Sequence, residues 1–393
     1  MNDLRNKYAV IGVGYTPQGK VPGRTAASFY VEAAANAIKD AGLTNKDIDG
    51  LLLYRFFEFL HGDASFNAFN IAERLGIRPA ALSQEFTCTR TWLTHAVGLL
   101  ETGQCKYVVV AYGDNAKSGN RNFINELDKD GSSTGDLAAY GDLSTMAKYA
   151  MTAHRAMYEY GTGPDVWKEI AVAQRRWANL NPIAFFYSKP LTREDYLNAA
   201  YNVEPFRLWD ATPVTDGGRA LVITSTERAK AIGKHPLVTI RGFGQANAPE
   251  ASWRVAVGDP GNAARVAGKK AFEMADVTPK DIDACEIYDC FTYTVEATLA
   301  DYGFFDPKKS ADFLIAERIG PGGEFPVNTS GGLLSEAYFM GMTPVTEAVM
   351  QLMGRCDERQ LGQYPGTKTP GLILCSDNGG VFQSNETIVF ERS

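Results

Sequence analysis

The chain has 393 residues, of which 45% are apolar, and a formal net charge of −7. This length fits one large domain or two fused ones, and the apolar content is sufficient for a sizeable core. The acidic balance argues against nucleic acid as the main partner. No apolar run approaches the roughly 18 residues that a membrane span needs, and the first residues lack the pattern of a signal peptide. We therefore expect a cytoplasmic protein without a membrane span.

The first residues are predicted to alternate between strands and helices. Residues 8–14 (YAVIGVG) form a strand that runs into a glycine-rich turn, although GVG is too short for a dinucleotide-binding fingerprint. Residues 26–41 have the periodicity of an amphipathic helix. Residues 43–54 contain a turn rich in aspartate and then a second strand.

A candidate nucleophile follows in residues 81–115, which approach Cys88 and then form a helix and a buried strand at 107–111. A cysteine at a helix N-terminus meets unpaired N–H groups and the positive end of the helix dipole. Both favour the thiolate, so Cys88 is placed to be a nucleophile. The alternative is a small, buried, apolar cysteine.

Six cysteines stand at positions 88, 105, 285, 290, 356 and 375, without CxxC spacing. The sequence therefore predicts no metal site and no disulfide framework. Cys285 and Cys375 lie in apolar strand-like runs, and Cys105 and Cys356 follow two helices. We expect these four to be packing residues.

Segments of the chain repeat. Residues 37–54 and 271–288 are identical at eight of eighteen aligned positions, and each segment ends in a tyrosine. Three further pairs recur in the same order, namely residues 8–14 with 237–244, 93–105 with 345–356, and 107–115 with 371–378. The repeat is far longer than the roughly 20–50 residues of a solenoid unit. We therefore expect two copies of one α/β half, the first in residues 1–114 and 190–235 and the second in 236–393.

Residues 115–189 are too long for a simple connection between these elements. They contain a helical piece near 143–158 and an aromatic, proline-containing end at 175–190. We interpret this region as a cover over the site, with a packed excursion that shields a sheet edge as the alternative.

Alternating strands and helices predict mainly parallel or mixed sheets with helices on both faces. Ligands in such folds lie at the C-terminal ends of strands and at helix N-termini. Cys88 falls at such a position, and the repeat places residues 338–342 opposite it.

Motifs along the whole chain resemble the thiolase superfamily, in the branch of the sterol-carrier-protein-type thiolases. The motifs are NKYAVIGVGYTP (6–17), LNPIAFFYSKPLTREDYLNA (180–199), PFRLWDATPVTDGGRALVITS (205–225), EIYDCFTYTVEATLADYGFF (286–305) and FPVNTSGGLLSEAYFMG (325–341). The resemblance implies a duplicated βαβαβ fold with a five-layered α-β-α-β-α core and an inserted loop domain.

The resemblance also implies roles for single residues. Cys88 corresponds to the acylated nucleophile, although a gapless match would put Thr87 there. Cys290 matches the acid/base cysteine of His-Asp-Cys-Phe, whose histidine is replaced by Tyr288. Tyr338 stands where the histidine of Gly-His-Pro belongs, so both family histidines are absent from their motifs.

Other residues are candidates for holding the thioester and coenzyme A. Asn378 and Gly380 match the loop whose backbone N–H groups help to hold a thioester oxygen. The glycine-rich run that includes Ser330 and Gly331 either approaches the pantetheine arm or is a turn that needs positive φ. Three arginines of the cover region are candidates for the phosphates, namely Arg121, Arg175 and Arg176.

Three functions follow from the resemblance. The first is a thiolase that cleaves a bulky, aryl β-ketoacyl-CoA such as benzoylsuccinyl-CoA through acyl-Cys88, with Cys290 protonating the enolate. The second is a retro-aldolase for a β-hydroxyacyl-CoA of the steroid side-chain type, in which Tyr288 and Tyr338 act. The third is a non-catalytic scaffold that binds CoA esters. Both retained cysteines favour the first, which is the function we expect, and both histidine replacements favour the second as the alternative.

The resemblance implies coenzyme A as a co-substrate and no permanently bound cofactor. It implies a homodimer core, together with a small zinc-ribbon and OB-fold partner subunit that would give an α2β2 assembly.

Overall fold

The computed structural model describes residues 4–55, 67–86, 91–119, 144–233, 236–248, 263–365 and 367–393. Its strands are β1 (Tyr8–Tyr15), β2 (Gly50–Arg55), β3 (Ala81–Phe86), β4 (Tyr107–Asn115), β5 (Tyr201–Val203), β6 (Phe206–Arg207), β7 (Asp216–Ser225), β8 (Val238–Asn247), β9 (Ala284–Glu286), β10 (Leu372–Gly379) and β11 (Ser384–Arg392).

Helices precede or follow most of these strands. They are α1 (Ala26–Asp40), α2 (Ala68–Leu75), α3 (Trp92–Glu101), α4 (Thr145–Tyr160), α5 (Pro164–Ala178), α6 (Arg193–Asn198), α7 (Thr226–Ile232), α8 (Ala263–Ala275), α9 (Thr292–Asp301), α10 (Ser310–Phe313), α11 (Ala316–Ile319), α12 (Gly332–Ser335) and α13 (Met342–Met353).

Nine of the strands form one mixed sheet in the order β3-β2-β4-β7-β1-β8-β11-β10-β9. The two halves join at its centre, where β1 and β8 are antiparallel and pair Ala9 with Thr239 and Val10 with Val238. The mixed α/β architecture is confirmed. This pairing makes the sheets of the two halves continuous.

Read outward from the centre, the two halves have the same strand pattern. The series β1-β7-β4-β2-β3 has two antiparallel contacts and then two parallel ones. The series β8-β11-β10-β9 repeats this, and a parallel bridge from Cys285 to Val327 takes the place of β3. The predicted duplication is therefore present in the strand pairing.

The turn before β2 and the turn before β9 have the same hydrogen bonds. Thr44 donates its backbone N–H to Asp47 Oδ2 over 2.8 Å and its hydroxyl over 2.7 Å. Thr278 and Asp281 repeat both bonds at the same lengths. Each turn is a capping box, which satisfies donors that the short helical turn leaves open. The shared sequence TxKDID thus produces the same local structure twice.

A glycine in the first strand of each half lets a helix lie directly on the sheet. A Cβ added to Gly14 would lie 2.0 Å from the Ala33 oxygen of α1. A Cβ added to Gly244 would lie 2.1 Å from the Ala267 oxygen of α8. Such distances exclude any side chain, so the glycines of YAVIGVG and its repeat are packing requirements.

The helices divide between two cores. The smaller core joins α1 and α2 to the first-half strands and includes Ala33, Ile71 and Val109. The larger core includes side chains of α3 and α13 and extends through the second half. Most predicted elements are confirmed within one to three residues at their ends, among them α1, α4, β8 and β10.

The described part of the inserted region packs against the second half. Trp167 and Trp177 of α5 are fully buried. Trp167 Nε1 donates to Glu296 Oε2 over 2.7 Å, and Trp177 Nε1 donates to the Ile319 oxygen over 3.1 Å. Of the cover and excursion interpretations, this contact supports a packed excursion for α5. The boundaries of the insertion stay a prediction.

In the ranges described above, every helix is too short or too polar to cross a bilayer.

Replacing Gly14 with alanine should destabilise the fold by about 1–3 kcal/mol, because the new methyl group must displace α1. Urea unfolding followed by circular dichroism measures this. Gly98→Ala is the matched control, because a Cβ at that exposed position of α3 has no described atom within 4 Å. The control should be neutral or stabilising by up to about 1 kcal/mol. Equal stabilities for both variants would contradict the packing argument.

Candidate functional site

Two phenols meet at the end of β9. Tyr288 lies two residues after this strand, and Tyr338 lies in the loop that precedes α13. Their hydroxyl oxygens are 3.0 Å apart, which is a hydrogen bond in which either can be the donor. Tyr288 is 4% exposed and Tyr338 is 9% exposed. The structure thus brings together the two residues that replace the family histidines.

The segment that carries Tyr288 is held by side chains on both sides. Asn328 accepts from the Ile287 N–H over 2.6 Å and donates to the Ile287 oxygen over 2.9 Å. The Tyr288 N–H donates to Ser376 Oγ over 3.1 Å. The Asn328 amide therefore pairs with both backbone groups of Ile287, as a neighbouring strand would, and fixes the backbone next to the Tyr288 phenol.

Asp289 ties the same segment to α12. Its two carboxyl oxygens accept from the Leu333 N–H over 2.8 Å and the Leu334 N–H over 3.1 Å. The group is fully buried, and burial raises its pKa to about 7 although these two donors act in the opposite direction. These contacts hold the start of α12 against the strand end.

Tyr338 is held by a second set of contacts. Its backbone N–H donates to Thr215 Oγ1 over 2.9 Å, in the connection that precedes β7. Arg219 of β7 and Glu336, which lies two residues before Tyr338, form an ion pair in which both side chains are buried. Arg219 also lies over the ring of Phe339, 5.2 Å from its centroid. A buried ion pair is costly unless both partners are present, so each one depends on the other.

Cys290 lies two residues after Tyr288 and two residues before α9. Its side chain is 7% exposed, and its carbonyl oxygen accepts from the Thr212 N–H over 3.1 Å. Its position beside Tyr288 in the chain agrees with an acid/base role, which stays a prediction. Cys88 and Thr87, the candidates for the nucleophile, lie outside the described residues.

The candidate residues of the last loop have structural contacts. Asn378 donates to Thr298 Oγ1 over 3.2 Å and accepts from the Asn385 amide over 2.5 Å. Gly380 has φ +58°, and Val381 and Phe382 follow with φ of 57° and 66°. This left-handed turn ends β10. Whether its backbone N–H groups hold a thioester oxygen stays a prediction.

Ser330 and Gly331 are buried against the end of α5 and the residues after it. The Ser330 oxygen accepts from the Asn181 amide over 3.0 Å. Gly331 has φ +102°, and a Cβ there would lie 2.6 Å from the Ala178 Cβ. The run therefore needs glycine for its backbone and packing, which supports the turn interpretation.

Two of the three predicted phosphate-binding arginines lie in the described part of the chain, where both contact protein side chains. Arg175 is buried between the rings of Phe186 and Trp209, whose centroids lie 4.1 and 5.0 Å from its guanidinium. Burial lowers the pKa of Arg175 to about 10. Arg176 forms an exposed ion pair with Glu317. Arg121 lies outside the described residues, and contacts with phosphate stay a prediction for all three.

The remaining cysteines are buried, as expected of packing residues. They are Cys105, Cys285, Cys356 and Cys375. Burial raises the pKa of Cys105 to about 11 and raises the pKa values of the other three well above the ordinary range. A raised pKa disfavours the thiolate, so these thiols are poor nucleophiles. No group of three or more His, Cys, Asp or Glu side chains in the described segments is arranged to hold a metal ion.

Sequence reasoning missed two residues of the site. Met340 Sδ lies 2.9 Å from the Tyr338 hydroxyl, and Asn328 holds the Ile287 backbone. A methionine usually fills a core, so its type carries no functional signal. Asn328 has φ +54°, and an asparagine in a Gly/Ser-rich loop is a recognisable sign of such a conformation.

Two known proteins match this chain over nearly its whole length. It is 32% identical to the steroid side-chain-cleaving aldolase of Thermomonospora curvata over 403 residues, which cover 96% of this chain and 100% of that protein. It is 32% identical to a 17-hydroxy-3-oxo-4-pregnene-20-carboxyl-CoA lyase of Mycobacterium tuberculosis over 388 residues, which cover 94% of this chain and 100% of that protein.

A solved structure described as an Ltp2-ChsH2(DUF35) aldolase is similar with TM-score 0.85 and 30% identity, and covers 99% of this chain and 98% of that chain. The family model "Thiolase C-terminal domain-like" matches residues 258–392. The benzoylsuccinyl-CoA thiolase subunit BbsB of Thauera aromatica is 26% identical over 242 residues, which cover 59% of this chain and 62% of that protein. Similarity to the aldolases is therefore more extensive than similarity to this thiolase.

Replacing Asp289 with asparagine should reduce the pH dependence of stability. The carboxyl pKa is about 7 in the folded chain and near its ordinary 3.8 when unfolded. Between these values the folded chain retains a proton that the unfolded chain has lost, so this group's contribution to stability decreases as pH rises. The free energy of unfolding, measured with urea between about pH 4 and pH 7, should therefore decrease less steeply with pH for Asp289→Asn than for the wild type.

Asp281→Asn is the control, because it should change the pH dependence of stability in the opposite direction. Hydrogen bonds from Thr278 lower the pKa of Asp281, so its contribution is present above the unfolded pKa and is lost as pH falls. Identical slopes for the wild type and Asp289→Asn would contradict a raised pKa at Asp289.

Proposed function

The chain belongs to the thiolase superfamily, in the branch of the SCP2-type thiolases, and on this premise we propose that it is a retro-aldolase. Its substrate is a β-hydroxyacyl-CoA. The reaction breaks the bond between the α and β carbons and releases an acyl-CoA and a ketone or aldehyde. This is the second of the three functions that the sequence suggests.

The observation that carries the proposal is the hydrogen bond between the hydroxyls of Tyr288 and Tyr338. Retro-aldol cleavage needs a base for the substrate hydroxyl and an acid for the α carbon. Two phenols that share a hydrogen bond can hold and transfer one proton between them. A phenol has both a donor and acceptor lone pairs, so either tyrosine can contact a hydroxyl or a thioester oxygen.

The proton balance of the reaction fits such a pair. A tyrosinate of the pair accepts the proton of the β-hydroxyl, and the C–O bond becomes a carbonyl. The electrons of the Cα–Cβ bond move into the thioester enolate, and the other tyrosine protonates Cα. Transfer between the two phenols then restores the pair, so the cycle consumes no proton, oxidant or resident cofactor.

The named relatives support the same reaction class. Two proteins that this chain matches over nearly its whole length are called a steroid side-chain-cleaving aldolase and a CoA lyase. We therefore propose a bulky acyl group of the steroid side-chain type. An aryl acyl group, as in benzoylsuccinyl-CoA, has weaker support because that relative overlaps only part of this chain.

We also propose a partner subunit and coenzyme A as the thioester carrier. The solved aldolase to which the chain is similar is named as a combination of two proteins. A small zinc-ribbon and OB-fold protein, added to a homodimer core, would give the α2β2 assembly that the resemblance implies. Co-expression followed by size-exclusion chromatography with mass measurement tests this composition.

A thiolase is the second candidate function, and Cys290 is the observation that favours it. This thiol lies two residues from Tyr288 and has little exposure, which suits transfer of a proton to an enolate in a dry site. In that reaction Cys88 would carry the acyl group. The scaffold hypothesis has only the loss of the histidines in its favour.

Tyr288→Phe and Tyr338→Phe should each lower kcat for cleavage of a β-hydroxyacyl-CoA by about 10²–10⁴-fold, because each removes one proton-transfer group. Product formation is measured by separation of the acyl-CoA and the released ketone. Tyr293→Phe is the matched control, because this buried tyrosine lies five residues further on and its hydroxyl has no hydrogen-bond partner among the described residues. Full activity of both site variants would refute the proposal.

The same preparations separate the two candidate reactions. For a retro-aldolase, Cys88→Ala and Cys290→Ala should retain C–C cleavage within about ten-fold, since no covalent intermediate is required. A thiolase would instead lose CoA-dependent cleavage of a β-ketoacyl-CoA. It would also show an acyl adduct on Cys88 by mass spectrometry, and that adduct would overturn the retro-aldolase assignment.

A further inference from the structure

Met340 makes the environments of the two phenols unequal. Its thioether sulfur lies 2.9 Å from the Tyr338 hydroxyl and 3.8 Å from the Tyr288 hydroxyl. The hydroxyls themselves are 3.0 Å apart. The three polar atoms therefore form a closed triangle in which sulfur lies nearer to one phenol. Met340 is fully buried, so this contact lies inside the protein.

The backbone aims the methionine at this position. Met340 has φ +54°, a left-handed conformation that a residue with a side chain rarely adopts. Thr343 holds the turn, because its hydroxyl donates to the Ala337 oxygen over 2.9 Å and accepts from the Phe339 N–H over 3.2 Å. Such conformations persist where the surroundings determine them, and they concentrate at functional sites.

The chemistry of sulfur makes this contact favour one protonation state of Tyr338. A thioether accepts a hydrogen bond weakly and has no proton to give. It therefore stabilises Tyr338 only while Tyr338 holds its proton. A negative charge on the Tyr338 oxygen would face sulfur lone pairs at 2.9 Å, whereas a charge on Tyr288 would face them at 3.8 Å.

We propose that Met340 is a positioning residue that gives the two phenols different roles, so that Tyr288 is the base and Tyr338 is the acid. This inference rests on the retro-aldolase proposal and adds to it. Tyr288 accepts the proton of the substrate hydroxyl as the Cα–Cβ bond breaks. Tyr338 gives its proton to Cα of the enolate, and the proton on Tyr288 then passes to Tyr338 across the shared hydrogen bond.

The test isolates the step that uses Tyr338. Exchange of the α-hydrogens of butyryl-CoA in D2O, followed by mass spectrometry, reports proton transfer at Cα without C–C cleavage. Exchange requires the Tyr338 oxygen to remove the α-hydrogen as an anion, and Met340 disfavours that charge, so Met340→Leu should raise the exchange rate by about ten-fold, the effect of one pKa unit. Met342→Leu is the matched control, because it is also buried and starts α13. Its rate should stay within about two-fold of the wild type.

A double-mutant cycle separates positioning from general damage to the fold. In a Tyr338→Phe background, Met340→Leu should change the residual exchange by less than about two-fold, because its target is gone. In a Tyr288→Phe background, the increase of about ten-fold should persist, because Tyr338 and its contact with residue 340 are still present. If Met340→Leu does not fold, as judged by circular dichroism, Met340→Gln enters the same cycle.

Each outcome has a definite meaning. Equal factors in both tyrosine backgrounds, or an exchange rate that Met340→Leu leaves unchanged or lowers, would overturn the role of Met340 and leave the retro-aldolase proposal standing. Unchanged C–C cleavage by both tyrosine variants would overturn the retro-aldolase proposal itself. Absence of α-hydrogen exchange in the wild type would overturn the assignment of Tyr338 as the acid.

Discussion

The site depends on the contacts that join the segment at residues 328–334 to the end of β9. Asn328 holds the backbone of Ile287, and Asp289 accepts two backbone donors from the start of α12. Between them, Thr329 donates its N–H and hydroxyl to Glu286, a buried carboxyl whose pKa burial raises well above its ordinary value. These contacts are buried, so losing one partner would leave a polar group without compensation. They fix the separation of Tyr288 from the loop that leads to Tyr338.

The duplication gives Tyr288 a counterpart in the first half whose described contacts differ. Tyr54 occupies the position of Tyr288 in the first half, but its ring packs against Tyr112 with centroids 5.8 Å apart. There, β2 has a full parallel neighbour in β3 on its outer side, whereas on the outer side of β9 the described residues form a single bridge, from Cys285 to Val327. Because the second-half chain leaves the sheet after one bridge, it is available to form the loop that carries the site. One architecture therefore provides a packed strand end in one copy and a pair of phenols in the other.

The replacement of histidine by tyrosine changes the chemistry without removing it. A tyrosine keeps a hydroxyl that can donate to a thioester oxygen, but its usual pKa of about 10 makes it a poorer base than histidine at neutral pH. A hydrogen-bonded partner and a nearby thioether can compensate by controlling which oxygen holds the proton. Thiolase and retro-aldolase reactions share the thioester enolate. A family scaffold can therefore support either one through changes at a few side chains.

Much of the fold and part of the site followed from the sequence alone. The repeated TxKDID turn, the strand at residues 8–14 and the helix at 26–41 have local signals, namely capping residues, β-branched runs and helical periodicity. Tyr288 and Tyr338 were identified because they occupy motif positions, and their burial and low exposure agree with a shared site. The expectation of an acyl-cysteine thiolase depends on Cys88 and Cys290. A match between motifs does not show whether these cysteines or the two tyrosines carry the reaction.

What the sequence determined by itself is the set of elements and their duplication, because capping and periodicity act between residues close in the chain. Only the tertiary structure decided that the halves join in one sheet and that two hydroxyls 50 residues apart share a hydrogen bond. It also placed the Met340 sulfur beside Tyr338. These contacts depend on the path of a loop with positive φ at Asn328 and Met340. No local pattern encodes such a path, since it is set by packing against distant strands.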